Sequence, residues 1–455
     1  MKSQKNKRVY ALALLMALSA SGAKAQNTEL SPVMREAHVG TMTLQQCIEY
    51  AVTHNLNIQQ QQLNEENKKI QLETTRYSRL PDLSASLSEG FGFGRSTGRD
   101  GSTVDNTSAS TSFNLSTSMP IFDGFRISNQ IKSDKFSLQA ASAQLEKARQ
   151  DISIQVAGYY LNALYYKGVV AIQRQQLELD KKTLQKAKDL FESGKKPESE
   201  VAAAQAQVDV ALHQLTEAEG NETMARLDLM QALNLTDDVQ SFSITDIDTT
   251  QLSKDITPAA QVFEQAVLLH PSIMAAKYNL ESSKYALKVA KSANLPSLSL
   301  RASYSNSYYH QFDFDNMSFG KQLDLNGSEY IGLSLNIPIF NRFATRNSIR
   351  QARLQIQNQE LQLSDSQLQL QKQIEQAYWN AIKARANYNS AESAARSTQL
   401  SYDYESERYT AGKSTAIDLQ NTQTKLEKAL SDQLQAKYEY LMRVKILEFY
   451  NGIPF

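Results

Sequence analysis

The chain has 455 residues, with 48 lysines and arginines against 48 aspartates and glutamates, and its only cysteine is Cys47. This length allows two or three ordinary domains or one large elongated domain. The absence of excess positive charge disfavours nucleic-acid binding, and a single cysteine excludes an intrachain disulfide. We expect Cys47 to be an apolar helix residue rather than a redox group.

Residues 1–25 have the pattern of a secretory signal peptide. Basic residues precede an apolar run over residues 10–20, and Ala23-Lys24-Ala25 forms a small-x-small cleavage site. Removal of this segment deletes five positive charges, so the formal net charge changes from 48 − 48 = 0 to 43 − 48 = −5. We therefore expect an exported, mildly acidic protein that starts with a short N-terminal segment, residues 26–41.

The remaining chain repeats itself with a period near 218, since Gly194 recurs as Gly412 and 412 − 194 = 218. At the same offset, Pro120-Ile121-Phe122 recurs as Pro338-Ile339-Phe340. This period is too long for a solenoid repeat, and we interpret it as an internal duplication. The predicted divisions are repeat 1 (42–235), an inter-repeat linker in the equatorial region (236–257), repeat 2 (258–450) and a C-terminal tail (451–455).

The same order of elements is predicted in each half: a helix, two strands, a very long helix, a tight turn and a return helix. The first helix covers residues 43–79 and ends before Leu80-Pro81, because proline disfavours helical geometry in the residue before it. The other elements of repeat 1 are strands 82–94 and 109–122, the long helix 126–191 and the return helix 199–233. In repeat 2 they are strands 297–309 and 329–340, the long helix 345–410 and the return helix 415–450.

Apolar residues recur every seven positions in both long helices, which predicts packing like that of a coiled coil. The first series is Ile131, Leu138, Leu145, Ile152, Tyr159 and Tyr166. The second is Ile349, Ile356, Leu363, Leu370, Ala377 and Ala384. Each long helix would extend roughly 100 Å, so we expect pairs of short helices to lie end to end beside each long one.

The four strands alternate apolar residues with small polar ones, and their lengths suit tilted strands in a membrane. Four strands cannot close a barrel, and open edges are not tolerated in lipid. A dimer would supply eight strands and little lumen, whereas a trimer would supply twelve and a channel. The alternative is a soluble sandwich or a sheet packed on the helices. The long polar loops at 95–108 and 309–328 are expected outside the cell, with the helices in the periplasm.

Gly412-Lys413-Ser414 looks like the end of a phosphate-binding P-loop, but Glu407 occupies the place of the first glycine and no strand precedes it. We expect Gly412 to end a helix in a left-handed conformation. Lys413 would be solvated, and Ser414 or Thr415 would cap the next helix.

An enzymatic function is not expected. The five histidines are scattered and have no metal-binding spacing such as His-Glu-x-x-His. No nucleophile motif of the Gly-x-Ser-x-Gly kind is present. The sequence therefore predicts no catalytic, cofactor-binding or metal-ligating residues.

The ordered set of motifs resembles the TolC-like outer-membrane efflux proteins. It consists of the duplicated Pro-Ile-Phe strand ends, the helix stops Leu80-Pro81 and Leu295-Pro296, and the turns Phe191-x-x-Gly194 and Tyr409-x-x-Gly412. The resemblance implies a mainly α fold with a membrane β-barrel portion, as a homotrimer with four strands and six helices (two long, four short) per protomer. It also implies a passive channel of a tripartite efflux or type I secretion system that exports small molecules from the periplasm or an inner-membrane pump to the exterior. This channel would lie in outer-membrane lipid, with a periplasmic adaptor and the inner-membrane pump as partners.

The resemblance also implies roles for residues at the helical tips. The tip turns, with Gly194, Lys195, Gly412, Lys413 and Ser414, would dock the adaptor. A constricted aperture would involve Glu200, Asp418, Tyr409 and Asn421. Alternatively, Glu200 and Asp418 are first-turn acids that stabilise a helix N-terminus.

A second functional class is a periplasmic coiled-coil scaffold or adhesin without a channel. It would explain the seven-residue periodicity of the helices, but it would not explain the four alternating strands.

Overall fold

The structure is a computed structural model that describes residues 40–97, 101, 103–105, 107–236, 238–247, 256–312, 314–411 and 413–453. The predicted signal peptide and Gly412 lie outside these ranges. The described helices are α1 (Leu44–His54), α2 (Leu56–Tyr77), α3 (Arg126–Glu192), α4 (Glu198–Leu233), α5 (Ala259–Leu269), α6 (Pro271–Ser292), α7 (Phe319–Leu325), α8 (Ala344–Thr410) and α9 (Ala416–Tyr450). The described strands are β1 (Thr41–Met42), β2 (Ser84–Gly92), β3 (Arg95–Thr97), β4 (Thr103–Asp105), β5 (Ser108–Phe122), β6 (Ser243–Ile244), β7 (Ser297–Gln311) and β8 (Ser328–Asn336).

Four strands form one antiparallel sheet in the order β2-β5-β7-β8. The register places Leu115 opposite Tyr304 and Leu300 opposite Leu333, so apolar residues share one face and serines share the other. The four predicted strands are present at nearly the predicted positions. β8 ends at Asn336 rather than at residue 340, because Pro338 has no amide hydrogen with which to continue the ladder.

The first helix is broken, so the prediction of one helix over residues 43–79 is wrong. Asn55 has φ −66° and ψ 130°, and its side-chain oxygen accepts a hydrogen bond from the Asn57 amide at 2.9 Å. Its side-chain amide donates to the Ala232 carbonyl oxygen at 3.2 Å. Asn55 therefore ends α1 and caps α2, because its short polar side chain competes with the helical backbone.

The corresponding helix of the second half is also broken, between α5 and α6. His270 has an extended conformation, and Pro271 occupies the first turn of α6; a proline in a helix interior would remove a hydrogen bond and clash with the preceding turn. A short helix, α7, lies in the predicted loop at 309–328. The expected six helices are therefore too few, since the described residues form nine.

The two long helices, α3 and α8, contain 67 residues each, or roughly 100 Å of helix. The seven-residue series of α8 is buried at Leu370, Ala377 and Ala384, as expected, but only partly at Ile349, Ile356 and Leu363. In α3 the predicted series is buried at Leu145 and Ile152 but only partly at its other four members, Ile131, Leu138, Tyr159 and Tyr166. Beyond Ile152 the fully buried series shifts by four residues to Val156, Ala163, Val170, Leu177 and Leu184. Small alanines in both series allow close approach of the neighbouring helices.

The helices pack as two successive rows. Between the sheet and the helix breaks, neighbours follow the order α2–α3–α6–α8, and towards the helical tips the order is α4–α3–α9–α8. At the junction, β1 pairs with β6, and the Tyr160 hydroxyl donates to the carbonyl oxygens of Met42 and Thr245. Cys47 is fully buried there, and burial raises the pKa of its thiol to about 12.

No helix in the described ranges has the combination of length and apolar character needed to cross a membrane.

Candidate functional site

The candidate site is the end of the molecule where α3 turns into α4 and α8 turns into α9. After α3, Gly194 has φ 68°, and the Lys195 amide donates to the Leu190 carbonyl oxygen at 2.9 Å. This left-handed residue ends the helix in the way that favours glycine. Lys195 is exposed beside it.

The second tip turn differs in its polar contacts. The Lys413 amide donates to the Arg408 carbonyl oxygen at 2.9 Å, and Lys413 is exposed. The Ser414 hydroxyl donates to the Glu405 carboxylate, which also pairs with Arg408. The predicted left-handed conformation of Gly412 falls outside the described residues.

Thr415, rather than Ser414, is the N-cap of α9. Its hydroxyl oxygen accepts from the Asp418 amide at 3.2 Å and its hydroxyl donates to the Asp418 carboxylate at 2.6 Å. Asp418 and Glu200 both lie in the first turns of their helices. Both positions favour a negative charge, because the helix dipole is positive there.

A cavity lies between α3, α4, α8 and α9 near the tip turns, and two of the four predicted aperture residues line it. Glu200 and Tyr409 lie on its walls, whereas Asp418 and Asn421 are exposed on another face of α9. Glu200 pairs with Lys196 at 2.7 Å, and this hydrogen bond raises the pKa of Lys196. The Lys186 ammonium lies 5.4 Å from the centre of the Tyr409 ring. Both predicted residues therefore have a lysine beside them.

A buried polar cluster that begins in the wall of this cavity was not predicted. Asp180 on α3 is 3% exposed and accepts hydrogen bonds from Gln176 at 3.1 Å and from Gln423 of α9 at 2.8 Å. Two turns away, Gln173 donates to Glu427 of α9 at 2.7 Å. Burial raises the pKa of Asp180, although its two hydrogen bonds oppose this effect.

The seven-residue spacing in the sequence could have predicted this polar cluster. Gln173 and Asp180 are seven residues apart, and each precedes a buried residue of the α3 series, Leu177 or Leu184, by four positions. These are core positions in coiled-coil-like packing. Polar residues at such positions usually find partners across the helix interface.

The sheet at the other end of the molecule exposes a broad apolar face. Leu87, Ile331, Leu333 and Leu335 lie on it, and Leu333 is 66% exposed. The opposite face carries serines from all four strands, for example Ser84 beside Ser116 and Ser303 beside Ser116. This pattern is apolar on one side and hydrophilic on the other.

Comparison with known proteins connects these features. The family model described as outer membrane efflux protein matches residues 47–235 and 262–452. Outer membrane efflux protein BepC of Brucella suis biovar 1 is 23% identical over 324 residues, which is 71% of this chain and 68% of that protein. Alkaline protease secretion protein AprF of Pseudomonas aeruginosa is 21% identical over 348 residues, covering 74% and 69%. Outer membrane protein TolC of Escherichia coli K12 is 23% identical over 362 residues, covering 76% and 69%.

Solved structures have the same fold. CusC superposes with a TM-score of 0.75 at 16% identity, over 92% of this chain and 95% of that one. The Campylobacter jejuni CmeC outer membrane channel gives a TM-score of 0.72 at 20% identity, over 90% and 86%. The two family matches together span most of the chain, and the mainly helical architecture agrees with them. The chain belongs to the outer membrane efflux protein family.

Proposed function

We propose that three copies of this outer membrane efflux protein form one passive channel. Their sheets would close into a twelve-stranded barrel in outer-membrane lipid, and their helices would form a periplasmic tunnel. The channel would export molecules that a periplasmic adaptor and an inner-membrane pump deliver to it. Relatives named for efflux and for protease secretion are both similar to this chain, so either kind of system remains within the proposal.

The strongest support is that the sheet and the helical row are open at the same two sides. β2 and β8 are the edge strands, and the helices that adjoin them in the chain, α2 and α8, are the outer members of the row. Two different edges that meet between copies make a head-to-tail interface, which closes into a ring when the rotation allows it.

Both outer helices carry exposed apolar residues at seven-residue steps. Those of α2 are Leu56, Leu63, Ile70 and Tyr77, and those of α8 are Leu354, Leu361 and Leu368. The sheet ends of these helices are Tyr77 of α2 and Ala344 of α8. Leu63 lies about four helical turns from Tyr77, and Leu361 lies about five turns from Ala344. The two series are therefore at similar heights, as pairing between protomers requires.

The proposed duplication, with halves at 42–235 and 258–450, has support in the geometry. The long helices begin at Arg126 and Ala344, which reproduces the sequence period, since 344 − 126 = 218. Each follows a phenylalanine in a left-handed conformation, Phe125 with φ 65° and Phe343 with φ 62°. Each of these rings makes an edge contact with Phe122 or Phe340.

The tip would contain the aperture that opens and closes the tunnel and the surface that binds the adaptor. Glu200, Asp418, Tyr409 and Asn421 would surround the aperture, with the first two also stabilising their helices. The adaptor would contact the turns that contain Gly194, Lys195, Gly412, Lys413 and Ser414. The exposed lysines and the aperture acids give this end both signs of charge.

Disulfide trapping tests the proposed assembly. With Cys47 replaced by alanine, the pair Leu63→Cys and Leu361→Cys should give covalent trimers under oxidation, visible on denaturing gels, since α2 of one copy meets α8 of the next. The pair Leu63→Cys and Leu227→Cys serves as control, because Leu227 is exposed on α4 in the other helical row. Monomers alone from the first pair, together with no ion conductance in planar bilayers, would contradict the channel.

The scaffold or adhesin alternative predicts a different fractionation. A scaffold would leave the membrane in a salt wash, whereas a protein with its apolar sheet face in lipid requires detergent. The exposed apolar face of the four-stranded sheet favours the channel.

A further inference from the structure

The hydrophilic face of the sheet is lined mainly by small neutral side chains, and large ones occur on it at two levels: Arg301 with Tyr330, and Tyr309 with Gln311 nearer the loops. Over β2, β5, β7 and β8 it carries mainly serine, with glycine and asparagine, and Arg301 is the only charged side chain on this face of the described strands. Arg301 lies opposite Ser118 on one side and Gly332 on the other. It is exposed, and it forms no hydrogen bond or ion pair within the described part of the chain.

A large aromatic side chain covers the glycine beside Arg301. A β-carbon on Gly332 would clash with the Tyr330 hydroxyl group, so the tyrosine side chain lies over the bare backbone at this point. Tyr330 and Arg301 line the same depression of the sheet surface. Glycine at position 332 thus lets an aromatic ring lie next to the arginine.

One acid lies in the same row. Asp82 precedes β2, and its carboxylate accepts a hydrogen bond from the Ser118 amide at 2.6 Å. This contact holds the carboxylate against the backbone and satisfies part of its charge. Arg301 has no such partner among the described residues, so its guanidinium is the group available to a solute.

In the proposed trimer, this level becomes a ring. Twelve strands spaced about 4.8 Å apart and tilted by about 40° give a backbone radius of about 12 Å. Three arginines, three tyrosines and three Asp82 carboxylates lie at this level, the carboxylates held by the Ser118 amides, whereas the serines next to it leave the space open. A charged ring in a pore lined by neutral side chains determines which ions enter.

We propose that Arg301 and Tyr330 form the selectivity constriction of the strand-lined pore, and that it favours anionic solutes over cations. This inference depends on the proposed trimeric channel. Guanidinium groups suit phosphate and carboxylate oxygens, to which they can donate paired hydrogen bonds. The expected ligands are therefore solutes with phosphate or carboxylate groups.

Pyrophosphate added to the strand side of channels in planar bilayers tests the inference, because it reaches the barrel without crossing the helical tip. It should reduce the wild-type conductance, and the concentration for half block should rise at least about tenfold in Arg301→Gln. Arg301→Lys should retain part of the block, and Asp82→Asn should strengthen it. In a KCl gradient, Arg301→Gln should move the reversal potential towards that of a cation-selective pore.

A matched pair of variants tests whether the Tyr330 side chain narrows the pore. Tyr330→Ala should raise single-channel conductance, whereas Ile331→Ala, which removes an exposed side chain from the opposite face of the same strand, should not. A conducting wild-type channel with the same block and reversal potential as Arg301→Gln would overturn this inference and leave the proposed function standing. A wild-type protein without conductance would overturn both.

Discussion

At the scale of single residues, Asp180 is the least conventional feature of the helical part. A carboxylate that is almost inaccessible to solvent joins two helices that are distant in sequence, and its donors are neutral glutamines rather than cations. Glu427 adds a second negative charge nearby, and the pKa of Tyr402 is raised by burial and by Asp180. Such a group favours its protonated form. We therefore expect the contact between α3 and α9 to be sensitive to pH.

We predict that Asp180→Asn reduces the pH dependence of stability. Because the folded pKa of Asp180 is above the unfolded one, the folded state holds this proton to higher pH. Stability from this group is thus present at acidic pH and is lost as pH rises from the ordinary carboxyl pKa through the raised value. The fall in Tm as pH rises above the ordinary carboxyl pKa, about 4, should be smaller in Asp180→Asn than in the wild type.

Asp189→Asn is the control for this measurement. Asp189 is exposed on the same helix and accepts a hydrogen bond from Gln185 within that helix. Its replacement should leave the pH profile of Tm unchanged. Equal profiles for wild type and Asp180→Asn would show that the buried carboxylate does not couple proton binding to folding.

The two tip acids give a second prediction at this scale. Glu200→Ala combined with Asp418→Ala should raise single-channel conductance by loosening the tip. The pair of Glu200 with Lys196 is partly exposed, so we expect a small effect, at most about fivefold in the ratio of open to closed tips. Glu198→Ala removes another acid from the same first turn and is the control. Conductance that stays at the wild-type value would exclude these acids from the aperture.

At the scale of elements, periodicity predicted the strands and long helices well, and it failed where single side chains compete with a helix. Side chains of a strand alternate between two faces, so a run in which apolar and polar residues alternate indicates both the strand and the residues on each face. The break at Asn55 has no such signature, because its cause is a hydrogen bond to Ala232, far away in sequence. The cap of α9 was predicted as Ser414 or Thr415, and only geometry distinguishes the two.

The helix α7 shows the same limit. Its loop folds back on β7 beyond the end of β8, where Gln322 accepts from the Tyr309 amide at 2.9 Å and donates to the Tyr309 carbonyl oxygen at 2.8 Å. Asn326 likewise donates to the Ser307 carbonyl oxygen at 2.7 Å. These side-chain amides replace a missing neighbouring strand. Composition indicated only a polar loop, since contacts of this kind depend on the register of the sheet.

At the scale of the whole molecule, the end that contains the sheet has an exposed apolar face, and the end that contains the two tip turns is charged. The apolar face suits lipid and the turns suit a protein partner in water. Lys195 and Lys413 follow the tip turns of the two hairpins and are exposed. Neither forms a side-chain hydrogen bond or ion pair within the described residues. A trimer would present six such lysines at one end of the tunnel, which is the arrangement expected for recognition of an acidic surface.

We therefore predict that Lys195→Glu combined with Lys413→Glu weakens binding to the periplasmic adaptor at least about tenfold at low ionic strength. The loss should be smaller in high salt, because exposed charges are screened there. Surface plasmon resonance with the detergent-solubilised protein measures the affinity, and cross-linking of cysteines at positions 63 and 361 reports whether the proposed trimer has formed. Lys321→Glu is the control, because Lys321 lies in α7 next to the sheet and far from the tip turns. This variant should bind the adaptor with wild-type affinity. Unchanged affinity of the tip variant across salt concentrations would place adaptor docking on another surface.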